Sequence, residues 1–73
     1  MPEVSAVDVS ERAQKALQTS PISALRELRV VHLEHALLIS GHVSSYYHKQ
    51  LAQEAVRAVA EGLDVVNSID VPT

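Results

Sequence analysis

Cysteine, phenylalanine and tryptophan are all missing from this 73-residue chain, which has only two glycines and three prolines. Without cysteine, neither a disulfide staple nor a thiolate metal site can form. Without Phe or Trp, the interior has to be filled by Val, Leu, Ile and Ala, because the only aromatics are the adjacent Tyr46 and Tyr47. Long apolar runs are missing too. The longest, Ala36-Leu37-Leu38-Ile39, falls far short of the ~20 residues that span a bilayer. Positive charge is scarce: six Lys and Arg stand against nine Asp and Glu, for a net charge of −3. Four of those cations (Arg12, Lys15, Arg26, Arg29) precede residue 30. Such a chain lacks the basic surface that neutralises phosphates, which excludes nucleic acid as a partner and disfavours a purely electrostatic hold on anionic lipid.

Met1-Pro2-Glu3 has no cationic leader character and no apolar stretch follows it, so no secretory signal is visible. If Met1 is the natural start, the expected location is the cytoplasm. If the chain is excised from a longer one, the envelope or periplasm becomes the expectation.

What is present describes one globular domain. Hydrophobic residues make up 47% and charged residues 21%, too apolar for a disordered chain. At this length a domain buries only about 60% of its unfolded surface, so the core is small.

Residues 1–7 lack a period and are expected to be a flexible N-terminal segment, leaving 8–73 as the single domain. Asp8 with Glu11 resembles a capping box, and Val9, Ala13, Ala16 and Leu17 at helical spacing predict a helix over 9–19. Glu11, Arg12, Gln14, Lys15 and Gln18 fall on its wet side, and Pro21 stops it. Over 22–26 the pattern is ambiguous, with Ser23 able to cap one more turn. From Leu28 the chain turns β-like: Leu28, Val30 and His32 share one parity, Val31 and Leu33 the other, and alternation alone does not say which faces inward. In a second strand, Leu37, Ile39, Gly41 and Val43 face the core and Leu38, Ser40, His42 and Ser44 face away. Glu34-His35 form the connecting turn.

Ser44-Ser45 supply an N-cap for a helix over 46–61, with an apolar stripe of Leu51, Ala52, Ala55, Val56, Val59 and Leu63. Glu54 and Arg57 are spaced to pair, and Gly62 is the expected stop just past the helix. Residues 64–71 read as a third strand, with Val65, Asn67, Ile69 and Val71 on one face and Val66 on the other. The order is αββαβ: an α+β, two-layer domain whose three-stranded mixed sheet carries both helices on one face.

Residues 28–71 resemble a BON domain, named for bacterial osmotic-shock and nodulation proteins. Leu37-Leu38-Ile39-Ser40-Gly41-His42-Val43 is similar to the family's V-x-L-x-G-x-V strand, and Gly62-Leu63-Asp64-Val65-Val66-Asn67-Ser68-Ile69 to its G-V-x-x-V-x-N-x-I segment. Ser44 to Ala55 resembles a variant in which Tyr-Tyr opens the helix. His35 stands where the family has Gly in the first hairpin turn, and Leu63 where it has Val after the helix-ending Gly. The resemblance implies a non-catalytic bacterial module without a cofactor, associated with the envelope and binding phospholipid surfaces or protein partners.

Candidate chemistry is sparse. His32 and His42 are placed across the hairpin from one another, with His35 at its turn and His48 in the next helix, but no recognised ligand spacing results and four separate histidines are the favoured reading. Ser40-Gly41-His42 lacks the elbow, base and orienter of a serine nucleophile, with Ser40 expected in mid-strand. Gly41 fits a close approach or a strand bend instead. Adjacent helical residues diverge by about 100°, so one of Tyr46 and Tyr47 is expected to pack over the sheet and the other to lie on the surface. If exposed, the second becomes an anchor for a lipid interface or a partner. Lys49, Gln50, Gln53 and Arg57 form the helix's polar face, a candidate binding surface or simply a solvated one. Leu38, Ser40, His42 and Val66, with Val31 and Leu33, mark a bare sheet face that invites association, weak homo-oligomerisation included, as do open strand edges. Gly41, Gly62 and Asn67 are expected to be structural.

Overall fold

The computed structural model describes residues 8–72, so the lead-in expected over 1–7 and Thr73 lie outside the described residues. Asp8 opens helix α1 (Val9–Gln18) as its N-cap, its Oδ1 accepting a 3.1 Å hydrogen bond from the Ser10 amide. That bond, and a second from the His32 ring, hold the Asp8 carboxyl below the ordinary carboxylate range. Ala13 and Leu17 are fully buried, and Glu11, Arg12, Lys15 and Gln18 are exposed. Ser23 does not act as a cap. It is the first residue of a 3-10 turn, Ser23–Leu25, that follows Ile22, whose amide donates to Ser20 Oγ at 3.0 Å. This turn delivers Leu25 and Leu28 to the core.

Strands β1 (Arg29–Leu33) and β2 (Ala36–Ser40) pair antiparallel from Arg29↔Ser40 to Leu33↔Ala36. The register answers the parity question: Leu28 is buried and Val30 half-buried, whereas Val31 and Leu33 point outward. Neither Glu34 nor His35 takes a positive φ, so the hairpin does not use the mirror-image turn that glycine favours. Beyond Ser40 the chain bends at Gly41, where φ is +126°. Ser40 therefore ends the strand rather than sitting in its middle.

Ser45 caps helix α2 (Tyr46–Arg57) by accepting from the His48 amide at 3.1 Å. The helix ends four residues before the expected Glu61. Past Arg57 the bonds tighten to the i→i+3 kind, Val59 to Val56 at 3.1 Å and Ala60 to Arg57 at 3.3 Å, and Ala60 turns into the core. Gly62 is accordingly not the residue just past the helix. It pairs with Glu61, both at positive φ (+88° and +54°), in a separate turn closed by the Leu63 amide on the Ala60 carbonyl. Glu54 accepts from Gln50 at 3.2 Å instead of pairing with Arg57, and Glu61 is tied to Arg12 of α1 at 2.7 Å.

Strand β3 (Asp64–Asn67) runs parallel to β2, which lies in the centre of the order β1-β2-β3. It is half as long as the eight residues expected over 64–71. The ladder continues irregularly, through the Ser68 amide on Ile39 and a single His42↔Asp70 bridge, because β2 has already bent at Gly41. The result is the α+β, two-layer αββαβ fold, with both helices packed over one face of the mixed sheet. Leu37 and Ile39 of the central strand, Leu17 of α1 and Val56 of α2 are each completely buried in that single core. No helix among the described residues is long and apolar enough to cross a membrane.

Candidate functional site

The covered side of the sheet is spent on the core, which leaves the other side. Residues of one parity in each strand project there. The register lines up Val31, Leu38 and Val66 as one row across all three strands, with Leu33, Ala36 and Asp64 in the row below and Arg29 and Ser40 in the row above. Val31, Leu33 and Val66 are 47%, 46% and 46% exposed, values that solitary surface residues reach, but here they adjoin one another. Leu38, at the centre, is half-buried by its neighbours, as is Ser40. His42 is exposed and its backbone pairs with Asp70. Of the residues expected on this face, Leu38 and Val66 sit side by side, and Arg29, Ala36 and Asp64 join them without having been singled out.

The polar face of α2 does not assemble into one surface. Gln53 is taken by Asn67, whose side-chain amide donates to Gln53 Oε1 and to the Lys49 carbonyl, both at 3.0 Å. Asn67 Oδ1 in turn accepts from the Ile69 amide at 3.2 Å, so this side chain knots α2 to β3. Lys49 is half-buried, its ammonium 6.0 Å from the Tyr46 ring centroid. Gln50 and Arg57 are exposed. Tyr46 and Arg57, at opposite ends of the helix, are about 16 Å apart along its axis.

Both tyrosines are exposed, Tyr46 by 67% and Tyr47 by 68%, against the expectation that one packs over the sheet. They precede the first buried residue of α2, Ala52, by more than a full turn, so their rings project beyond the edge of the small core. The Tyr47 ring lies beside that of its neighbour His48, with 5.9 Å between the centroids.

The histidines lie apart. His32 is level with Leu37, not with His42, and its Nδ1 meets Asp8 Oδ1 at 2.8 Å. That contact links the start of α1 to the far end of β1. Gly41 is where Leu28 comes close: a Cβ there would stand 2.8 Å from Leu28 Cδ2.

Gln14 carries a role that helical periodicity hid by assigning it to the wet side. Its amide nitrogen donates to the Leu28 carbonyl at 2.7 Å and its oxygen accepts from the Val30 amide at 2.8 Å. A side chain thus imitates a neighbouring strand and closes the outer edge of β1 at those residues, a recognised defence against stray pairing. No period in α1 marks such a residue, since its partners lie 14 and 16 positions away. Replacing Gln14 by Glu removes the donor and sets a carboxylate against a carbonyl. The expected cost is about 1–3 kcal/mol, read as a lower urea midpoint at unchanged slope; an unchanged midpoint would show that the edge cap contributes nothing.

Among the concavities of the described surface is one of about 380 Å³ lined by Gln14, Gln18, Arg26 and Arg29. Fold and surface together define the chain as a small two-layer α+β domain with one sheet face that the helices leave uncovered. Comparison with protein-family models finds no match, and comparison with curated proteins finds none either.

Proposed function

We propose that this chain is a non-catalytic binding module of BON type that works by contact with protein through its bare β-face. The observation that carries this reading is the continuous row Val31–Leu38–Val66, exposed on a face that the helices leave uncovered. Adjoining apolar side chains on an uncovered sheet face are available for association. A phospholipid surface is the poorer match to the same face. Its corners carry Arg29 and Asp64, the chain has a net charge of −3, and an open sheet cannot satisfy its edge backbone groups inside hydrocarbon.

A second reading, binding to a phospholipid interface, is favoured by the two exposed tyrosines at the start of α2. An aromatic ring with one apolar and one wet end suits the headgroup region. Co-sedimentation with neutral and with anionic phospholipid vesicles separates the two. The expected result is that the wild-type chain stays in the supernatant with both. Sedimentation lost in the Tyr46→Ala/Tyr47→Ala variant would replace the protein reading by the phospholipid one. Sedimentation lost in Val66→Glu would assign the β-face itself to lipid.

A further inference from the structure

We propose that the partner of the bare β-face is a second copy of this chain, stacked face to face about a two-fold axis that passes through Leu38. The inference rests on the protein-contact reading above and names its occupant.

The charge layout singles out this partner. Arg29 lies on the outer strand β1, level with Ser40, and Asp64 lies on the opposite outer strand β3, level with Ala36. They occupy diagonal corners of the face, and Leu38 lies midway between them on the central strand. Arg29 shares the outward parity of Val31, and Asp64 that of Val66. The face therefore has one positive corner, one negative corner and an apolar middle. A two-fold axis lying in the interface, perpendicular to the Arg29–Asp64 diagonal, sets Arg29 of each copy on Asp64 of the other. The same operation places Leu38 on its symmetry mate and brings Leu33 of the two copies together at one margin. Strand spacings make the sheets cross at roughly 70°, towards the orthogonal class of sheet packing. Alignment along the strands instead sets Leu33 over the partner's Asp64 and leaves Arg29 opposite serine, so the diagonal arrangement is the one that satisfies both charges.

The strand edges offer a second copy less. Gln14 closes β1 at Leu28 and Val30. Along β3, the amides of Asp64, Ser68 and Asp70 point inward to β2 and its continuation, so the backbone amides of Val65 and Asn67 are directed to the open edge. The regular part of that edge is only four residues long, and an edge this short is a poor template for pairing.

The face is small. Three strands of about five residues outline a patch of roughly 250 Å², well under the ~800 Å² per partner of a standard stable interface. The dimer is thus a weak one, and added salt weakens it by screening the two ion pairs.

Sedimentation equilibrium of the whole chain, from about 10 μM to about 1 mM at low salt, tests this. The average mass of the wild type is expected to rise from 7.9 kDa towards twice that value. Arg29→Glu and Asp64→Arg each set like charges together twice per dimer and are expected to raise Kd at least about tenfold. The double variant Arg29→Glu/Asp64→Arg re-forms both pairs with reversed sign and is expected to return within about threefold of wild type. Far-UV circular dichroism checks that every variant is folded. Should a charge reversal unfold the chain, Arg29→Gln and Asp64→Asn replace it, and dilution-dependent amide shifts are expected to centre on Val31, Leu33, Leu38 and Val66. A wild type that remains at 7.9 kDa throughout overturns self-association but leaves the protein-contact reading standing, which the vesicle experiment tests separately. Dimers indifferent to charge at 29 and 64, or single reversals that the double variant does not rescue, overturn the diagonal geometry.

Discussion

Replacing Gly41 by alanine is expected to destabilise the domain by about 2–6 kcal/mol, a large part of what holds a chain of this length together. Two effects combine. At φ +126° the backbone lies outside the small left-handed basin that other residues can visit, a strain of about 1–3 kcal/mol. The new methyl group also lands 2.8 Å from Leu28 Cδ2, and Leu28 is only 1% exposed, so its side chain has no solvent to move into. Overpacking of that kind costs a further ~1–3 kcal/mol. The total stability of a chain this long is only about 4–11 kcal/mol. Gly62→Ala is the control. Its φ of +88° is also strained, but nothing lies within 4 Å of the added Cβ, so its loss is expected to stay near 1 kcal/mol. Thermal unfolding followed by circular dichroism reads both, with Gly41→Ala lowering Tm by at least about 10 °C. Equal losses at the two glycines would mean that contact with Leu28 plays no part.

Leu37→Ala and Leu38→Ala, one position apart on β2, are expected to differ by several kcal/mol. Leu37 is 0% exposed beneath both helices, and its truncation leaves a cavity costing about 2–5 kcal/mol. Leu38 points to the bare face and is only half-buried, so its truncation is expected to cost about 1 kcal/mol or less. Urea titration of the two variants checks the register directly, since a slip of one residue turns every side chain to the opposite face. Comparable losses, or the reverse order, would contradict β2 as described. Under the dimer proposal, Leu38→Ala has its main effect on association, because Leu38 stands on the two-fold axis.

The element order was legible because each element has a short-range signature. Asp8 and Ser45 announce helix starts, Ala13 with Leu17 and Ala52 with Val56 repeat at helical spacing, and Leu37 with Ile39 alternate against Leu38 and Ser40. Lengths were less legible. The apolar stripe of α2 continues through Val59, but past Arg57 the backbone bonds tighten to the i→i+3 kind and the α-helix ends there. The outer face was half-visible: Leu38 and Val66 follow from alternation, yet their adjacency depends on which strand is central and on its register. Both tyrosines were misjudged in part, because their exposure depends on how far the core extends beneath α2 and not on angles along the helix.

What the sequence determined by itself is therefore local: which segments are helix or strand, and which side of each is apolar. Tertiary structure alone decided the pairings between distant residues. It brought Gln14 to the edge of β1, Asp8 to His32, Asn67 to Gln53, and Arg29 and Asp64 to opposite corners of one face. The reason is physical. Periodicity records only the direction a side chain takes from its own backbone, whereas these contacts depend on strand order and register, which the chain acquires only when the hydrophobic core closes.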